Sequence, residues 1–316
     1  MSLPEKFISC DWGTSNFRLR LIKTDTLEVL DEHKTDKGVK KLYSEFQSQK
    51  RLNQDRFFSD YLTEQLKEVT SLEGENVVVA SGMASSSIGM RELGYSAMPF
   101  DAYGKNLFSR SISLSKKLQI LLVSGAKTKE DVMRGEEIQA VGLSEFLPIE
   151  KTGVLLLPGT HSKHLHYEKA SYDDFKTFMT GELFEIISSQ SILKSSLEKT
   201  DYSKKFEKSF IEGVKKGAEG FTASLFSIRA KDLMKNATKQ ENYFFLSGLL
   251  IGDELAYLNN DDSTISVAAN GTLGDLYKLA LEEILDDNSR LNFIEEEVLE
   301  KALLIGQRKI LESYEK

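Results

Sequence analysis

An aspartate, a glycine turn and several small polar residues lie together near the N-terminus of this chain. The segment Asp11-Trp12-Gly13-Thr14-Ser15-Asn16 follows an apolar run, and strand-like alternation resumes at Phe17. Backbone N–H groups that converge at a glycine turn form a small positive nest suited to an anion. A carboxylate at the same place can bind Mg²⁺ directly or through water. A polyphosphate with its metal ion therefore suits this tip; a turn aspartate that caps its own backbone is the alternative.

A weakened copy of this pattern occurs in the second half of the chain. Its tip is Pro158-Gly159-Thr160-His161-Ser162-Lys163, and alignment on the glycine places Leu157 where Asp11 stands in the first copy. We therefore expect the first tip to hold metal and the second to hold phosphate. Lys163 would balance phosphate charge and His161 would donate a hydrogen bond. The alternative for Lys163 is the start of an exposed strand.

Three histidines of the second copy raise the question of a zinc site. Such sites usually combine four nitrogen, sulfur or oxygen ligands, and this short cluster has no cysteine or distant fourth ligand beside it. Zinc is therefore not expected at His161, His164 and His166.

The segment Arg134-Gly135-Glu136-Glu137 carries a second set of charged groups, in a helix predicted from about Asp131 to Phe146. Phosphoryl transfer to an alcohol benefits from a carboxylate that takes the hydroxyl proton, and Glu136 or Glu137 could act as this base. Arg134 could bind a substrate carboxylate with its fork of donors. An ordinary helix with acids in its first turn is the alternative.

Several loops supply weaker candidates. The hydroxyl-rich loop from Ser81 to Gly89 follows a buried strand, where open α/β sheets often bind ligands, and a flexible surface loop is the equal alternative. A turn at 179–182, at the start of a predicted helix, is a similar candidate for substrate contact, with the same alternative. Gly248 and Gly252 are one helical turn apart, for which close helix packing is the default explanation. The candidates for substrate contact are Ser81, Gly82, Met83, Ser85, Arg91, Arg134, Thr180 and Glu182.

The elements that must position these residues repeat along the chain. Each half is predicted to follow the order β-β-β-α-β-α-β-α, with mixed pairing because the first strands form hairpins. Pro148 and the charged pair after it mark a boundary. We predict an N-terminal domain over residues 1–149 and a C-terminal domain over residues 150–316.

Composition narrows the function classes. The 316 residues carry a net charge of −8 with a pI near 5.3. This disfavours a dedicated nucleic-acid or anionic-membrane surface, which needs basic patches. Cys10 is the only cysteine, so no intrachain disulfide can form. The N-terminus lacks a signal-peptide pattern and no apolar stretch reaches membrane-spanning length, so a cytoplasmic location is expected.

The ordered set of motifs resembles one group of the actin-like ATPase superfamily, the 2-dehydro-3-deoxygalactonokinases. Any single segment is weak, but the set runs in family order. The segments are Asp11–Arg18, Ser81-Gly82-Met83, Met133–Gln139, Pro158–Lys163, Met179–Leu183 and Leu246–Gly252.

This resemblance implies two ribonuclease H-like domains of an α/β class, with mixed five-stranded sheets flanked by helices and the active site in the interdomain cleft. It implies transfer of the ATP γ-phosphate to 2-dehydro-3-deoxy-D-galactonate, giving the 6-phosphate, with Mg²⁺ at Asp11. The loop Asn270-Gly271-Thr272 would pass under adenine, since glycine admits close backbone approach. The phosphate and ATP candidates are Gly13, Thr14, Ser15, Asn16, Arg18, Gly159, Thr160, His161, Lys163, Gly248 and Gly271.

Two other functions stay open. One is a kinase of another sugar or sugar acid, since the sugar loops carry weaker signals than the phosphate loops. The other is a non-catalytic sugar sensor or an actin- or chaperone-like module of the same fold. Asp11 and the segment 134–137 favour an enzyme. The expected partners are the sugar acid and ATP, with no nucleic acid or membrane; a homodimer is the assembly considered.

Overall fold

The structure is a computed structural model that describes residues 3–49, 53–260 and 262–314. Strands and helices alternate along the chain. The strands are β1 (Lys6–Trp12), β2 (Phe17–Lys23), β3 (Val29–Thr35), β4 (Asn76–Gly82), β5 (Ser96–Ala97), β6 (Phe100–Asp101), β7 (Ser109–Ser115), β8 (Leu118–Val123), β9 (Ala126–Lys127), β10 (Val132–Met133), β11 (Gly153–Leu157), β12 (Ser162–Glu168), β13 (Ser171–Phe178), β14 (Thr264–Val267) and β15 (Leu291–Phe293). The helices are α1 (Val39–Ser48), α2 (Gln54–Leu66), α3 (Glu136–Leu143), α4 (Thr180–Gln190), α5 (Glu207–Ala218), α6 (Thr222–Leu233), α7 (Lys239–Leu255), α8 (Gly271–Ile284) and α9 (Glu296–Tyr314).

The first main sheet is built around β1, whose side chains are nearly all buried. Its order is β3-β2-β1-β4-β8-β7. β1 pairs antiparallel with β2 and parallel with β4. Asp11 lies opposite Arg18 in one pairing and opposite Ser81 in the other. Three predicted site residues therefore meet at one end of this sheet.

The second main sheet repeats this plan around β11, which is buried along its whole length. Its order is β15-β14-β11-β12-β13-β6. β11 pairs parallel with β14, and β14 pairs parallel with β15. Five strands of each sheet therefore share one order, which is β3-β2-β1-β4-β8 in the first sheet and β13-β12-β11-β14-β15 in the second. The predicted duplicated α/β fold with mixed pairing is confirmed.

Each main sheet has six strands, so the prediction of five is wrong by one edge strand in each. In the first sheet, β7 adds to β8, and Ile112 is its one buried side chain. In the second, the two-residue β6 pairs with β13. The two-residue β6 is too short to leave an apolar period, which is the signal on which strand prediction depends. In β7 this signal is limited to Ile112 and Leu114, which alternate with serines. A further small sheet has the order β10-β9-β5.

The chain divides into two compact units that differ from the predicted domains in two segments. The last helix and the middle of the β12–β13 region belong to the first unit. In the first unit, α9 lies against α3 at two glycines: a Cβ on Gly142 would stand 1.8 Å from the Ala302 carbonyl oxygen, and one on Gly306 would stand 2.0 Å from that of Ile138. The units are Met1–Lys151 with Tyr167–Phe175 and Glu297–Lys316, and Thr152–His166 with Lys176–Glu296.

Gly248 has a packing role in the structure. A Cβ on Gly248 would stand 2.1 Å from the Phe210 carbonyl oxygen, and one on Gly252 would stand 2.2 Å from that of Val214. Both contacts press α7 backbone against α5 backbone. Gly248 therefore lies on the α5 side of its helix, and its assignment to ATP gives way to the helix-packing explanation.

Gly248→Ala is expected to destabilise the protein by about 2–3 kcal/mol. Alanine normally stabilises a helix relative to glycine, but here the new methyl group overlaps a backbone carbonyl that cannot rotate away. Urea unfolding monitored by circular dichroism would measure the change. Gly74→Ala is the matched control because its Cβ would meet no atom within 4 Å. A Gly248→Ala protein as stable as wild type would contradict the tight α5–α7 contact.

The helix that carries the second set of charged groups is shorter than predicted. It begins at Glu136 instead of Asp131, because β10 occupies 132–133 and Gly135 adopts a φ of +115°, which interrupts helical geometry. Over residues 3–49, 53–260 and 262–314, no helix is both long and apolar enough to cross a lipid bilayer.

Candidate active site

The first hairpin tip forms one wall of a cavity of about 530 Å³ in the first unit. The N–H of Gly13 donates to the Asn16 carbonyl at 2.9 Å, so this amide closes the turn and is not directed at a ligand. Asp11 and the side chains after the glycine face the cavity. Lys34 and Thr35 of β3 also line it, and neither was singled out in the sequence. The lining residues are Asp11, Gly13, Thr14, Ser15, Asn16, Phe17, Arg18, Lys34 and Thr35.

Asp11 and Arg18 form the charged part of this cavity. Burial raises the pKa of Asp11 above its ordinary value, although the cations of Arg18 and Arg20 act in the opposite direction. The Nε atom of Arg18 is buried and has no hydrogen-bond partner within the described part of the chain. A buried donor without a partner carries a desolvation cost. The wall of the cavity thus combines a carboxylate with an arginine.

Gly38 supports this tip and was missed in the sequence. Its N–H donates to the Ser15 carbonyl at 3.2 Å, and a Cβ there would stand 2.3 Å from the Ser15 carbonyl carbon. The start of α1 therefore lies directly on the hairpin. The signal in the sequence was a glycine immediately before the helical pattern that begins at Val39. Nothing in the sequence shows that this glycine lies against the first tip.

The loop after β4 lies beside Asp11. Gly82 has a φ of +79°, and a Cβ on it would meet the Trp12 carbonyl oxygen at 2.9 Å and Asp11 Oδ1 at 3.9 Å. A Cβ on Gly135 would stand 3.5 Å from the Gly82 Cα. The structure therefore brings three predicted segments together around Asp11: the first tip, the loop that begins at Ser81, and the segment that precedes α3.

Ser81 accepts a hydrogen bond from a residue that the sequence did not indicate. The fully buried Gln307 of α9 donates from Nε2 to Ser81 Oγ at 3.0 Å and to the Cys10 carbonyl at 3.4 Å. Only the tertiary fold brings this distant helix beneath the ends of β1 and β4, so no local pattern could have identified it.

Arg134 is fixed against the same loop. Its Nη1 donates to the Ser85 carbonyl at 2.7 Å and also bonds Ser85 Oγ. Its guanidinium carbon lies 4.2 Å from the ring centroid of Tyr95, a cation–π contact. Both of these hydrogen bonds are made by one guanidinium atom of Arg134, Nη1. Met83 is half-buried in the short turn before Ser85.

Arg91, the second cation predicted to read the substrate, has another partner. Its Nε bonds Asp55 Oδ2 in a salt bridge to α2. Arg91 therefore connects the substrate loop to α2. Sequence spacing alone cannot place a carboxylate that lies on a different element.

Glu136 and Glu137 differ sharply in environment. Glu137 is fully buried, and both of its carboxyl oxygens accept the Gly135 N–H, at 2.9 and 2.7 Å. Burial, followed by the nearby charge of Glu136, raises the pKa of Glu137 to about 8. Glu136 is half-buried, and its Oε2 accepts the Arg134 N–H at 3.2 Å. A group with a pKa of about 8 is mostly protonated at neutral pH, and both oxygens of Glu137 are already bonded to the backbone.

Glu137 should make the stability of the protein fall as pH rises. Its pKa is higher in the folded than in the unfolded chain, so its contribution is complete below about 4.5 and is lost towards about 8. Between these values the wild type should lose about 1.4 kcal/mol per pH unit relative to Glu137→Gln. Urea unfolding of both proteins at pH 5.5, 6.5 and 7.5 tests this, with Glu136→Gln as control. Parallel wild-type and Glu137→Gln curves would show that the buried carboxyl has no raised pKa.

The second hairpin tip, in the second unit, is built like the first. The Gly159 N–H donates to Ser162 Oγ at 3.3 Å, so this amide too is used within the turn. The start of α4 lies on the tip: a Cβ on Gly181 would stand 2.6 Å from the Gly159 carbonyl oxygen. The Glu182 N–H donates to the Thr160 carbonyl at 3.0 Å. Gly181 therefore corresponds to Gly38, and each tip supports a helix start through one glycine.

Two residues predicted to bind the sugar lie at this second tip. Glu182 is hydrogen-bonded to His161, and Thr180 donates to the buried carboxyl of Glu254. The structure thus groups Thr180 and Glu182 with the phosphate candidates of the second unit. Their assignment to the sugar stays a prediction.

Lys163 is buried, so the alternative of an exposed strand residue is wrong. Its Nζ donates to Thr177 Oγ1 on β13 at 2.8 Å. His164 is also buried, between Glu254 and Tyr257. Over the described ranges, no group of three His, Cys, Asp or Glu residues could hold a metal ion.

A second cavity, of about 380 Å³, opens beside this tip. Aromatic and aliphatic side chains of α4, α7 and α8 form most of its wall, with a few polar groups. Ser247 and Thr272, the neighbours of the predicted Gly248 and Gly271, line it. Gly271 itself has a φ of +56°, which glycine adopts readily. The lining residues are Gly159, Thr180, Gly181, Phe184, Thr200, Asp201, Tyr202, Tyr243, Phe244, Ser247, Leu250, Ile251, Thr272, Leu273, Leu276 and Tyr277.

Comparison with known families accounts for nearly the whole chain. Residues 11–304 match the model of the 2-keto-3-deoxy-galactonokinase family. The chain belongs to this family. The match includes both hairpin tips, the segment before α3 and the first half of α9. The family predicted from the ordered motifs is thereby confirmed, and with it the class of carbohydrate kinase.

The names of similar proteins agree with membership of the galactonokinase family. A probable 2-dehydro-3-deoxygalactonokinase of Rhizobium meliloti (strain 1021) is 30% identical over 293 residues, covering 89% of this chain and 90% of that protein. The 2-dehydro-3-deoxygalactonokinase of Escherichia coli (strain K12) is 27% identical over the same shares. A crystal structure from Sinorhizobium meliloti, assigned to the 2-dehydro-3-deoxygalactonokinases, superposes with a TM-score of 0.78 at 28% identity, covering 95% of this chain and 96% of that one.

Proposed function

We propose that this protein transfers the γ-phosphate of ATP to 2-dehydro-3-deoxy-D-galactonate and forms the 6-phosphate, as a step of galactonate catabolism. Family membership and the names of the relatives support the reaction. The observation that carries the assignment is local: the Arg134 segment lies beside Gly82, and Gly82 lies beside Asp11. A cation suited to a sugar acid is thus close to an acid suited to phosphoryl transfer.

Arg134 is the proposed receptor for the substrate carboxylate. Its bonds to Ser85 and its position over Tyr95 hold the guanidinium plane in one orientation. A planar fork with fixed orientation binds a carboxylate through two parallel hydrogen bonds, which the single point charge of lysine cannot do. Ser81, Gly82 and Ser85 would supply the polar surface next to the sugar hydroxyls.

The first tip is the proposed site for the transferred phosphate and Mg²⁺. Arg18, Thr14 and Ser15 line the cavity. One carboxylate, Asp11, fits Mg²⁺, because this ion is commonly bound by one or two carboxylates together with substrate phosphates and water. When bound there, Mg²⁺ would neutralise charge on the phosphates and favour the ionised form of Asp11.

The cavity of the second unit is the proposed nucleotide site. Tyr202, Tyr243 and Phe184 give it the apolar, aromatic wall that suits a purine ring, and Thr272 extends it towards the Gly271 turn. Thr160, His161 and Lys163 of the adjoining tip would hold ATP phosphates.

A coupled assay that follows ADP release tests the proposed reaction. We expect kcat/KM to be highest with 2-dehydro-3-deoxygalactonate, lower with its gluconate epimer and lowest with galactose, which lacks the carboxylate. Lack of ADP release with every sugar acid would overturn the proposal. A preference for galactose would indicate a neutral-sugar kinase.

Arg134→Lys is expected to raise the KM for the sugar acid about ten-fold or more while leaving the KM for ATP nearly unchanged. Lysine keeps the charge but loses the fork and the stacking on Tyr95. Steady-state kinetics with each substrate varied in turn measures both constants. Arg91→Lys is the comparison, because its salt bridge with Asp55 occupies it. Equal effects of the two substitutions on the sugar-acid KM would contradict the special role of Arg134.

A further inference from the structure

A buried acid in α7 is not used by the proposed reaction. Glu254 is 1% exposed and lies among apolar neighbours of the helix. Its carboxyl group receives hydrogen bonds from three other elements of the second unit. Tyr277 donates to both oxygens at 2.9 Å, Thr180 donates to Oε2, and His164 Nε2 lies 2.8 Å from Oε1. A carboxylate removed from water needs such partners, because burying it without them is costly.

One of these contacts continues as a directional chain to the second hairpin tip. The single hydroxyl proton of Tyr277 is donated to Glu254, so at 3.2 Å from Ser162 Oγ the phenol oxygen must accept. Ser162 in turn accepts the Gly159 N–H. The chain therefore runs from the Gly159 amide through Ser162 and Tyr277 to Glu254. Burial and the charge of Glu254 raise the pKa of Tyr277 well above its ordinary value, so the phenol keeps its proton.

A second contact connects Glu254 to the start of α4. Thr180 is the first residue of that helix, and its hydroxyl bonds the same carboxyl group. Gly181, the next residue, lies against Gly159 and Thr160 of the tip. Glu254 thus orients the tip from two sides. His164, whose Nδ1 bonds Tyr257, fixes the carboxyl group from a third.

The residues that Glu254 holds also line the cavity of the second unit. Gly159, Thr180 and Tyr277 are all part of its wall, whereas Glu254 is not. We infer that Glu254 is a positioning residue for ATP: through Tyr277 and Thr180, it fixes the second hairpin tip and the adjoining cavity wall in the geometry that the nucleotide requires. This inference rests on the proposed function, because it takes the cavity to be the nucleotide site.

Glu254→Gln tests the inference through nucleotide binding. The amide has nearly the same size, but its NH₂ group would face donors, so the hydrogen-bond chain must rearrange. Calorimetric titration with ADP should show a Kd at least about ten-fold higher than wild type, which is about the effect expected from a lost charged hydrogen bond. The KM for ATP should rise similarly, while the KM for the sugar acid at saturating ATP should stay within about two-fold. Asp253→Asn, an exposed neighbour on α7, is the matched control and should bind ADP as wild type does.

An ADP Kd in Glu254→Gln equal to that of wild type would overturn the inference, as would equal increases in both KM values. Equal increases would indicate general loosening of the fold. The proposed function is judged separately, by ADP release with sugar acids. A wild-type protein that binds ADP but phosphorylates no sugar acid would refute the reaction, and the Glu254 comparison would still decide the positioning role.

A pair of milder variants decides the matter if Glu254→Gln does not fold. Ser162→Ala and Tyr277→Phe each break the chain while keeping the apolar part of the side chain. Each should weaken ADP binding about five-fold, and the double variant should be little weaker than either single variant, because links of one chain act as a unit. Multiplying effects, or no effect, would overturn the inference.

Discussion

Asp11→Asn is expected to reduce kcat by about 10³-fold without destabilising the protein. Asparagine keeps the size and one oxygen but removes the negative charge beside the proposed phosphate site. Losing one preorganised charged group at a phosphoryl-transfer centre typically costs this much, because catalysis there consists mainly of positioning and charge stabilisation. Asp11 is the one carboxylate that lines the first-unit cavity within the described residues, so no neighbouring acid replaces it.

The sign of the stability effect follows from the pKa of Asp11. Burial raises this pKa, so the folded state disfavours the ionised carboxylate relative to the unfolded chain. Removing the charge should therefore leave the free energy of unfolding unchanged or slightly higher at neutral pH. A turn aspartate that caps its own backbone would behave oppositely, since its loss would weaken the hairpin.

Coupled assays and thermal unfolding of Asp11→Asn measure the two effects together. Asp31→Asn, an exposed acid on β3, is the control and should match wild type in both. Turnover of Asp11→Asn within a few-fold of wild type would exclude the proposed role. A lower Tm with lost activity would favour the capping explanation.

The local patterns of the sequence were sufficient for both hairpin tips and for a duplicated α/β fold with mixed pairing. An apolar run ending at Gly13 or Gly159 places a strand and its turn without knowledge of the rest of the fold. They also placed Arg134 and Glu136 near the start of a helix, although that helix begins at Glu136 and not at Asp131. The partners of those residues could not be predicted, because Tyr95 and Ser85 lie far from Arg134 in the sequence and become its neighbours only in the folded chain.

The failures have the same origin. Arg91 was assigned to substrate because nothing in its own segment shows that Asp55, on another helix, satisfies its charge. Gly248 was assigned to ATP because the sequence does not show which face of α7 meets α5. Glu254 did leave a signal that was not used: an acid between Ile251 and Leu255, in a helix that is otherwise apolar on nearly every side, must have partners.

Gly38 and Gly181 have the same role in the two halves of the chain. Gly38 and Gly181 do not stand in similar sequence contexts, yet each lets a helix start lie on a hairpin tip. Any side chain at either position would collide with tip backbone, so glycine is required by close approach and not by turn conformation. Comparing the structures of the two halves, instead of their sequences, identifies Gly38 as the counterpart of Gly181.

Glu136→Gln is expected to lower kcat by about 10²- to 10⁴-fold with little change in either KM. This is the usual range for loss of a general base, and the proton of the sugar hydroxyl needs an acceptor as the new bond to phosphorus forms. Glu137→Gln should keep turnover within a few-fold. Its carboxyl group, with a pKa of about 8 and both oxygens bonded to the Gly135 N–H, is mostly protonated at pH 7 and already occupied.

Steady-state kinetics of the two single variants and of the double variant separates the roles of these neighbours. If Glu136 is the base, the double variant should be no slower than Glu136→Gln alone, because Glu137 contributes only to the shape of the turn. Loss of turnover in Glu137→Gln with normal turnover in Glu136→Gln would exchange the roles. Near-normal turnover in all three would remove both residues from the reaction and leave Asp11, the only other carboxyl group at the joined ends of β1 and β4 in the described residues, as the proton acceptor.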